Sequence, residues 1–235
     1  MALGTALTAA TTISTTAAVH NMNFNGDGIA LVDVMNTNQS VFYICLMSYN
    51  DYANVAPIQD GDHSQILMRF GEYSGTVSDP TLEIFTTDGG TVDIYATIAG
   101  DDDDANLGNA TFDASVTWDT IRGDVGTVGT YRNDSLSSLF SAIYTIKVSG
   151  RGGDVITENR RTYLAFDGAV LNPAKTVSAV RLKIYADNRG HTNDDFGKII
   201  AVQSTALAGS TADYGNCFPA VVVGADNATF FGSNF

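Results

Sequence analysis

Basic residues are scarce in this chain, and tryptophan, proline and cysteine are scarcer still. The 235 residues include 12 Lys and Arg against 26 Asp and Glu, which gives a formal net charge of −14. Nucleic acids and anionic membrane surfaces are bound by clusters of Lys and Arg. We therefore expect neither nucleic acid nor a membrane as a partner of this chain.

Only two cysteines are present, Cys45 and Cys217, and they stand far apart in the sequence. Two cysteines in a chain of this size do not make a disulfide framework. Cys45 lies in the apolar run 41–47, which is typical of a buried strand. We predict buried free thiols, with a single bridge as the alternative.

Long apolar runs are missing too, since no segment reaches the roughly 18 apolar residues that span a bilayer. Residues 1–18 consist mainly of Ala and Thr and lack the basic and apolar regions of a secretory signal. The sequence therefore predicts a protein that stays in the cytosol in which it is made, unless a leader was removed.

Recognisable catalytic motifs are also missing. His20, His63 and His191 stand alone in polar stretches, without the i, i+4 spacing of a zinc-binding helix. Neither the Gly-x-Ser-x-Gly elbow of hydrolases nor a phosphate-binding Gly-x-x-x-x-Gly-Lys loop occurs. We expect a protein that is not an enzyme, with glycan degradation as the least favoured alternative.

Two acidic clusters offer the hard oxygen ligands that calcium takes. Neither cluster has EF-hand spacing, and adjacent carboxylates repel one another. Solvated loops are therefore the favoured interpretation, and no cofactor is expected. Calcium is the alternative at both clusters, where its candidate ligands are Asp101, Asp103, Asp187, Asp194 and Asp195.

What the chain does contain is an internal repeat of alternating apolar residues. Residues 65–70 and 76–85 resemble residues 161–167 and 176–185, and both copies carry Thr-Val-Ser followed by Leu-x-Ile and an aromatic residue. Apolar residues at every second position direct one face of a strand toward a core. A repeat of this kind predicts two consecutive β units.

Short strands joined by glycine-bearing turns are predicted along the chain, so the predicted fold class is all-β. Residues 28–34 and 112–118 are predicted as strands, the latter with Trp118 in the core. Residues 41–49 are predicted as a strand buried on both faces, and residues 136–148 as a short helix that runs into a strand. The predicted organisation is an extended N-terminal arm over 1–22, a first β module over 23–118 and a second over 119–235.

The second copy of the repeat resembles a known family. Residues 163–167 read Tyr-Leu-Ala-Phe-Asp, and after a loop residues 176–185 end in Leu-Lys-Ile-Tyr. An aromatic strand ending in Phe-Asp and a later strand ending in Leu-x-Ile-Tyr resemble the jelly-roll domains related to carbohydrate-binding module family 96, the DNRLRE domains. Residues 118–123 and 206–214 are similar to elements found where such domains occur in tailed-phage structural proteins. The resemblance implies tandem β-sandwich or jelly-roll-like modules.

Together with the missing leader and catalytic motifs, the resemblance implies a structural protein of a tailed-bacteriophage virion. We expect a capsid decoration (cement) protein that adheres to neighbouring subunits, or else a tail or fibre component. Its partners would be the major capsid protein or other virion subunits. It would form a homo-oligomer, with a trimer favoured on the capsid, and enter the virion in the host cytoplasm. The alternative is a carbohydrate-binding module that recognises a surface polysaccharide.

The candidate interface residues belong to the N-terminal arm and to a group of tyrosines. An uncharged Ala- and Thr-rich segment cannot fold alone, so residues 2–18 are expected to contact another chain. Packing of the arm against its own domain is the alternative. Tyrosines serve protein interfaces because the ring is buried while the hydroxyl finds a partner. The predicted interface residues are Ala2, Leu3, Leu7, Ile13, Tyr49, Tyr52 and Tyr73.

Overall fold

The computed structural model describes residues 6–13, 16–60, 64–69, 78–96, 105–123, 129–133, 140–150, 154–191, 198–205, 211–215 and 217. The strands are β1 (Thr11–Thr12), β2 (Ala18–Asn23), β3 (Val41–Ser48), β4 (Ser64–Arg69), β5 (Thr81–Thr86), β6 (Thr91–Tyr95), β7 (Ala105–Thr111), β8 (Gly129–Asn133), β9 (Phe140–Ser149), β10 (Val155–Asp167), β11 (Val177–His191) and β12 (Lys198–Gln203). The α-helices are α1 (Gly26–Asn38), α2 (Tyr49–Tyr52) and α3 (Trp118–Gly123), and 3-10 helices cover Gly168–Val170 and Thr211–Gly215. None of these helices is both long and apolar enough to cross a bilayer.

The predicted all-β class is confirmed, because strands dominate the described chain and every strand pair in it is antiparallel. All twelve described strands belong to one continuous hydrogen-bonded network, which divides into two antiparallel sheets: one holds β1, β12, β3, β10, β7 and β8, and the other holds β2, β11, β5 and β6. The strands β9 and β4 join the two sheets, since β9 pairs with β10 and β4 pairs with β11.

Two long strands, β10 and β11, change partners along their length. The first half of β10 pairs with β9 from Val155 to Arg160, and its second half pairs with β3 from Thr162 to Asp167. Similarly, β11 pairs with β5 near its start and with β4 near its end. Strands that pass from one sheet to the other close the corners of a β-sandwich.

The main hydrophobic core lies between the two sheets. It includes Leu82 and Leu182, which face each other across β5 and β11, and Ile44 and Leu164 from the opposite sheet. The helix α1 packs onto this core through Val32 and Met35. A second, smaller cluster covers the other face of β3 and contains Cys45, Met47, Leu107, Tyr163, Ile200, Val202, Tyr214 and Cys217.

The strand β3 is buried on both faces, as its continuous apolar run predicts. Ile44 and Leu46 belong to the main core, while Cys45 and Met47 belong to the smaller cluster, and all four are 0% exposed. Such a strand cannot alternate between apolar and polar residues, because neither face meets water. Both cysteines are free and buried, so that prediction is confirmed as well.

The predicted tandem arrangement is not confirmed. The repeat segments pair with each other directly, because β5 and β11 are neighbours and Leu82 lies opposite Leu182. The strand β3, placed by prediction in the module 23–118, pairs with β10 and β12, which belong to 119–235. Strand pairing therefore crosses the predicted boundary at 118/119. Alternation of apolar and polar residues indicates that a segment is a strand, but it does not specify which other strand the segment pairs with.

Two predicted strands are wrong. Residues 28–34 lie in α1, where the Asn25 side chain caps the N-terminus by accepting a hydrogen bond from the Gly28 N–H at 2.9 Å. β-branched residues favour strands only weakly, and this cap and the packing of the helix outweigh that preference. Residues 112–117 form a turn before α3, and Phe112 is 69% exposed. Trp118 is half-buried at the start of α3.

The described part of residues 136–148 is strand. Residues 140–148 belong to β9. Residues 136–139, where the short helix was predicted, lie outside the described residues.

The described part of the N-terminal arm packs against its own domain. Leu7 donates its N–H to Ala201 O at 2.7 Å, and β1 pairs with β12. Leu7 and Ile13 are both 0% exposed and belong to the main core. The contact with another chain that was predicted for these two residues is therefore not confirmed, and their side chains already pack inside the fold.

Candidate functional site

The sheet of β2, β11, β5 and β6 turns one face to the core and the other to solvent. On β11, Leu182 and Ile184 are buried, whereas the alternate residues Lys183 and Tyr185 are half-buried. Outward residues line up across the strands, because Lys183 lies opposite Thr81 and Thr81 opposite Tyr95. This outward surface is called the open face below.

A cleft of about 330 Å³ lies at one end of the open face. Its apolar lining comes from Tyr95, Tyr185, Val19 and Ile184, and Val19 lies opposite Tyr185 in register. Tyr95 is 43% exposed and Val19 is 50% exposed, so both can touch a ligand. The polar lining residues are Ser78, Asp79, Thr81, Asp93 and Lys183.

Hydrogen bonds hold the wall of the cleft in place. The Arg69 guanidinium lies over the Tyr185 ring, 4.0 Å from its centroid, and donates to Ser78 Oγ at 2.9 Å. Thr81 Oγ1 donates to Asp79 O at 2.9 Å, which fixes the entry to β5. The wall is therefore preformed, and a ligand would not have to order it on binding.

Beside the cleft, charged side chains pair across the strands of the open face. Glu83 accepts from Arg181 Nε at 2.6 Å and from Lys183 Nζ at 3.4 Å, and Lys183 Nζ also lies 3.7 Å from Asp93. Burial alone would raise the pKa of Glu83, but its hydrogen bonds with Arg181 and Lys183 outweigh burial and lower it. Cations and carboxylates alternate here, so this part of the open face favours neither sign of ligand charge.

The lining of the cleft suits a small uncharged ligand rich in hydroxyl groups. Carboxylate oxygens at Asp79 and Asp93 can accept hydrogen bonds from such hydroxyls. The Tyr95 ring offers an apolar surface for the C–H face of a sugar, and its hydroxyl can hydrogen-bond as well. The volume is at the lower end of the range for small-molecule sites, about 300–1,000 Å³.

A second group of polar residues is fully buried and centres on Asp51, which is 0% exposed. Arg161 Nε donates to Asp51 Oδ2 at 2.6 Å, and Arg161 Nη2 donates to Oδ1 at 2.9 Å. Arg122 Nε lies 3.2 Å from Asp51 Oδ1 and donates to the Asp51 carbonyl at 2.6 Å. We call these residues, with Asn159 and Tyr214, the buried ionic cluster.

Arg161 connects this cluster to the 3-10 helix Thr211–Gly215. Arg161 Nη1 donates to Tyr214 O at 2.9 Å, and the guanidinium lies 4.2 Å from the centroid of the Tyr214 ring. Burial alone would lower the pKa of Arg161, but the Asp51 carboxylate outweighs burial and raises it, so the side chain stays charged. Burial raises the pKa of the Tyr214 hydroxyl, which donates to Ile121 O at 3.1 Å.

Neutral residues extend the cluster into β9 and β3. Asn159 Nδ2 donates to Asp51 Oδ2 and to Tyr214 Oη, both at 2.8 Å. Thr145 Oγ1 donates to Asn159 Oδ1 at 3.0 Å and hydrogen-bonds with Ser48 Oγ. The carboxylate and guanidinium groups are therefore held by partners inside the protein. These contacts join α2, α3, β10 and the 3-10 helix Thr211–Gly215, so the role of the cluster is structural.

Comparison of the chain with protein-family models, with curated proteins and with solved structures finds no match. No family stands out. The features that bear on the function of this protein are therefore the open face, the cleft, the buried ionic cluster and the sequence itself.

The interface predicted at Tyr49, Tyr52 and Tyr73 stays a prediction. Tyr49 and Tyr52 are half-buried on α2, and their rings stack with centroids 6.4 Å apart. Burial and the neighbouring Tyr49 raise the pKa of Tyr52. Ala2, Leu3 and Tyr73 lie outside the described residues.

The predicted calcium ligands are not brought together by any described geometry. Asp101, Asp103, Asp194 and Asp195 lie outside the described residues, and only the backbone of Asp187, in β11, is described. Within the ranges that the structure describes, no group of three or more His, Cys, Asp or Glu side chains could hold a metal ion.

Sequence reasoning did not identify the residues of the cleft or of the buried ionic cluster. A signal for the cleft was present, because Tyr95 and Tyr185 each end an alternating segment with Ile-Tyr. No local signal marked Asp51 and Arg161, which are far apart in the sequence and meet only through tertiary structure.

Proposed function

We propose that this protein is a structural component of a tailed-bacteriophage virion, and that it acts as a capsid decoration (cement) protein. It adheres to the major capsid protein or to other virion subunits, and its copies associate as a homo-oligomer, with a trimer favoured. The resemblance of 163–185 to jelly-roll domains of phage structural proteins supports this assignment.

The observation that best supports the proposal is the buried ionic cluster. Asp51 and Arg161 are 0% exposed and hold α2, α3 and the 3-10 helix Thr211–Gly215 against β10. A fully bonded buried pair of this kind gives rigidity and a single conformation rather than turnover. A protein that reinforces a particle benefits from such rigidity.

The surface proposed for adhesion contains the ring pair Tyr49 and Tyr52 on α2. The helix begins at the Ser48 cap, whose Oγ accepts from the Asp51 N–H at 3.1 Å, so the buried ionic cluster also positions the rings. Rigid aromatic side chains are enriched among the residues that dominate binding energy in interfaces.

Co-sedimentation with particles tests the proposal. Full-length protein is mixed with purified capsids of the phage that encodes it and separated on a density gradient. We expect the protein to migrate with the capsids, and Tyr49→Ala to weaken binding by about tenfold or more. Tyr95→Ala is the matched control, since it removes a ring from the open face and should leave binding unchanged.

Two outcomes would contradict the proposal. One is folded wild-type protein that stays at the top of the gradient and is missing from purified particles by mass spectrometry. The other is a Tyr95→Ala variant that loses as much binding as Tyr49→Ala. Light scattering of the purified protein tests the homo-oligomer separately, and a monomer at all concentrations would remove that part of the proposal.

The cleft favours a second candidate function, recognition of a surface polysaccharide by a carbohydrate-binding module or a tail or fibre component. Its Tyr95 ring and the carboxylates of Asp79 and Asp93 form a preformed lining for an uncharged sugar. Titration calorimetry with a panel of neutral oligosaccharides measures this binding directly.

We expect Tyr95→Ala to abolish the calorimetric signal and Asp93→Asn to reduce it, while Tyr49→Ala serves here as the control. No heat with any member of the panel, or equal binding by wild type and Tyr95→Ala, would refute the sugar-binding candidate. The same two tyrosine variants therefore separate the two functions.

A further inference from the structure

The two cysteines are distant in sequence but adjacent in the fold. Cys45 lies on β3, and Cys217 lies just after the 3-10 helix Thr211–Gly215. Both are 0% exposed and belong to the smaller hydrophobic cluster, where Cys45 lies opposite Tyr163 in register. The Tyr163 hydroxyl and the Cys217 thiol donate to the same acceptor, Tyr214 O, at 2.8 Å and 4.0 Å, which places the two cysteines on either side of Tyr163. Neither thiol has a role in the proposed adhesion or in the cleft.

The two sulfurs have different surroundings, which shift their pKa values in opposite directions. Burial alone would raise the pKa of Cys217, but the neighbouring Cys45 thiol and the charge of Arg161 outweigh burial and lower it. Burial raises the pKa of Cys45, and Cys217 raises it further. Cys217 therefore ionises more readily than Cys45, and the sulfur that ionises more readily is the one that attacks in thiol–disulfide exchange.

We propose that Cys45 and Cys217 are a cross-linking site, which forms an intramolecular disulfide by exchange with a low-molecular-weight disulfide such as oxidised glutathione. The bond ties the C-terminal segment 211–217 covalently to β3. Neither the virion assignment nor the sugar-binding candidate is needed for this inference, because it follows from the placement of the two sulfurs.

The exchange proceeds in two balanced steps. The Cys217 thiolate attacks one sulfur of the small disulfide, which forms a mixed disulfide and releases one small thiolate. The released thiolate takes the Cys45 proton. The Cys45 thiolate then attacks the Cys217 sulfur and expels the second small thiolate, which is protonated by solvent. One small disulfide is reduced to two thiols while the two cysteines are oxidised.

The cross-link would also secure the buried ionic cluster. Residues 211–215 carry Tyr214, whose carbonyl accepts hydrogen bonds from Arg161 Nη1 at 2.9 Å and from Tyr163 Oη at 2.8 Å. Both sulfurs are buried, so the small disulfide reaches Cys217 only when this segment opens. The disulfide restricts that opening and also constrains the unfolded chain, because it closes a very long loop.

Equilibration in glutathione redox buffers tests the proposal with the full chain. Equilibrium is approached both from the native reduced protein and from protein refolded in the same buffer, so slow access to the sulfurs cannot hide the result. Thiols are then counted with a maleimide polymer after denaturation, and intact mass is measured. We expect a species with no free thiol and two hydrogens fewer, and a rise in Tm of at least about 5 °C.

Serine variants separate the roles of the two cysteines. Cys45→Ser retains the attacking sulfur of Cys217 and is expected to accumulate the mixed disulfide there. Cys217→Ser lacks it, and is expected to react with the small disulfide at least about tenfold more slowly. Wild-type protein unfolded in urea is the control for proximity, since its two sulfurs are far apart on average and should cross-link much less.

Three results would overturn the proposal. Two free thiols could persist at every redox ratio, or both cysteines could carry glutathione without a cross-link. Cross-links could instead form between chains, which appear as dimers on a non-reducing gel. Each result would show that the two sulfurs cannot adopt disulfide geometry within the folded chain.

Discussion

At the scale of single residues, Asp51 connects the interior polar groups of the described chain. Its carboxylate accepts from both Arg161 and Asn159, and its carbonyl accepts from Arg122. Removing one member of a buried ion pair leaves the other charge without compensation, which costs far more than a surface pair contributes. Asp51 is therefore the residue whose loss the fold should tolerate least.

Replacing Asp51 with alanine is expected to lower the free energy of unfolding by about 3–5 kcal/mol, because Arg161 then stays buried without its carboxylate. Urea denaturation followed by circular dichroism measures the change. The double variant Asp51→Ala, Arg161→Met should recover part of the loss, since it removes both members of this pair and keeps an apolar side chain of similar length. The recovery is incomplete because Arg122 still loses its carboxylate partner. Asp154→Ala, at an exposed carboxylate, is the control and should change stability little. A double variant no more stable than Asp51→Ala would contradict this account.

Glu83 leads to a pH prediction. Its pKa is lower in the folded protein than its ordinary value of 4.5, so the folded state favours the charged form. A depressed carboxyl pKa contributes stability that is fully present above the unfolded pKa and is lost as pH falls through the folded pKa. The stabilisation by Arg181 and Lys183 should therefore persist at neutral pH and fade below about pH 4.5.

Glu83→Gln removes this contribution. We expect the wild type to have a higher Tm than Glu83→Gln at pH 7, with the difference shrinking as pH falls from about 5 to 3. Thermal melts across this range measure it, and Asp154→Asn controls for the loss of one surface carboxylate. A difference in Tm that stays constant down to about pH 3 would show that the pairs with Glu83 do not depend on its charge.

At the scale of elements, the repeated segments form one sheet. Residues 81–86 and 177–183 are hydrogen-bonded neighbours, with Leu82 opposite Leu182 and Ile84 opposite Val180. All four side chains lie in the main core. The two copies therefore depend on each other for stability, although their similarity in sequence predicts separate modules.

A double-mutant cycle measures that dependence. Leu82→Ala and Leu182→Ala should each cost about 2–5 kcal/mol, because both side chains are fully buried. The double variant should cost less than the sum by about 0.5 kcal/mol or more, since the two residues share a contact region.

Separate modules would instead give effects that add within about 0.5 kcal/mol. If the double variant does not fold, the milder pair Ile84→Val and Val180→Ala, also opposite in register, keeps the test available. Additive losses in both cycles would argue against the pairing of β5 with β11.

At the scale of the whole molecule, the chain near its N-terminus lies between elements that are distant in the sequence. The Leu7 carbonyl accepts from the Asn25 N–H at 2.8 Å, and Ala201 N donates to Thr8 Oγ1 at 3.2 Å. Residues 6–13 thereby connect the start of α1 to β12. An Ala- and Thr-rich arm becomes ordered here because Leu7 and Ile13 reach the main core.

Truncation tests this role. Deleting residues 2–13 should lower the free energy of unfolding by about 3–6 kcal/mol, because the burial of two large aliphatic side chains is lost. Deleting residues 2–5 removes chain before the first described contact and is the matched control. A 2–13 deletion as stable as the wild type would show that the arm does not belong to the core, and would revive its assignment to an interface between chains.

Local patterns in the sequence predicted the strands more reliably than the helix. The run 41–48 is apolar at nearly every position, so its burial on both faces could be predicted without knowing its neighbours. The helix α1 was missed because Ile29, Val32 and Val34 are β-branched. Its signals were the cap Asn25 and the acidic Asp27 in the first turn, which carry less weight than a run of β-branched residues. The periodicity of apolar residues in a strand indicates which face is buried, whereas the stability of a helix such as α1 depends on its caps and on its packing.

The sequence by itself determined the all-β class, the burial of β3 and the two free, buried cysteines. The reason is that alternating apolar residues and continuous apolar runs indicate which side chains are buried. Tertiary structure alone decided that the repeat segments pair with each other, that Asp51 meets Arg161, and that Cys45 and Cys217 share the smaller hydrophobic cluster. Contacts between residues far apart in the chain depend on strand order and register, and a local pattern is compatible with many of these. The cleft, the buried ionic cluster and the cysteine pair all depend on such contacts.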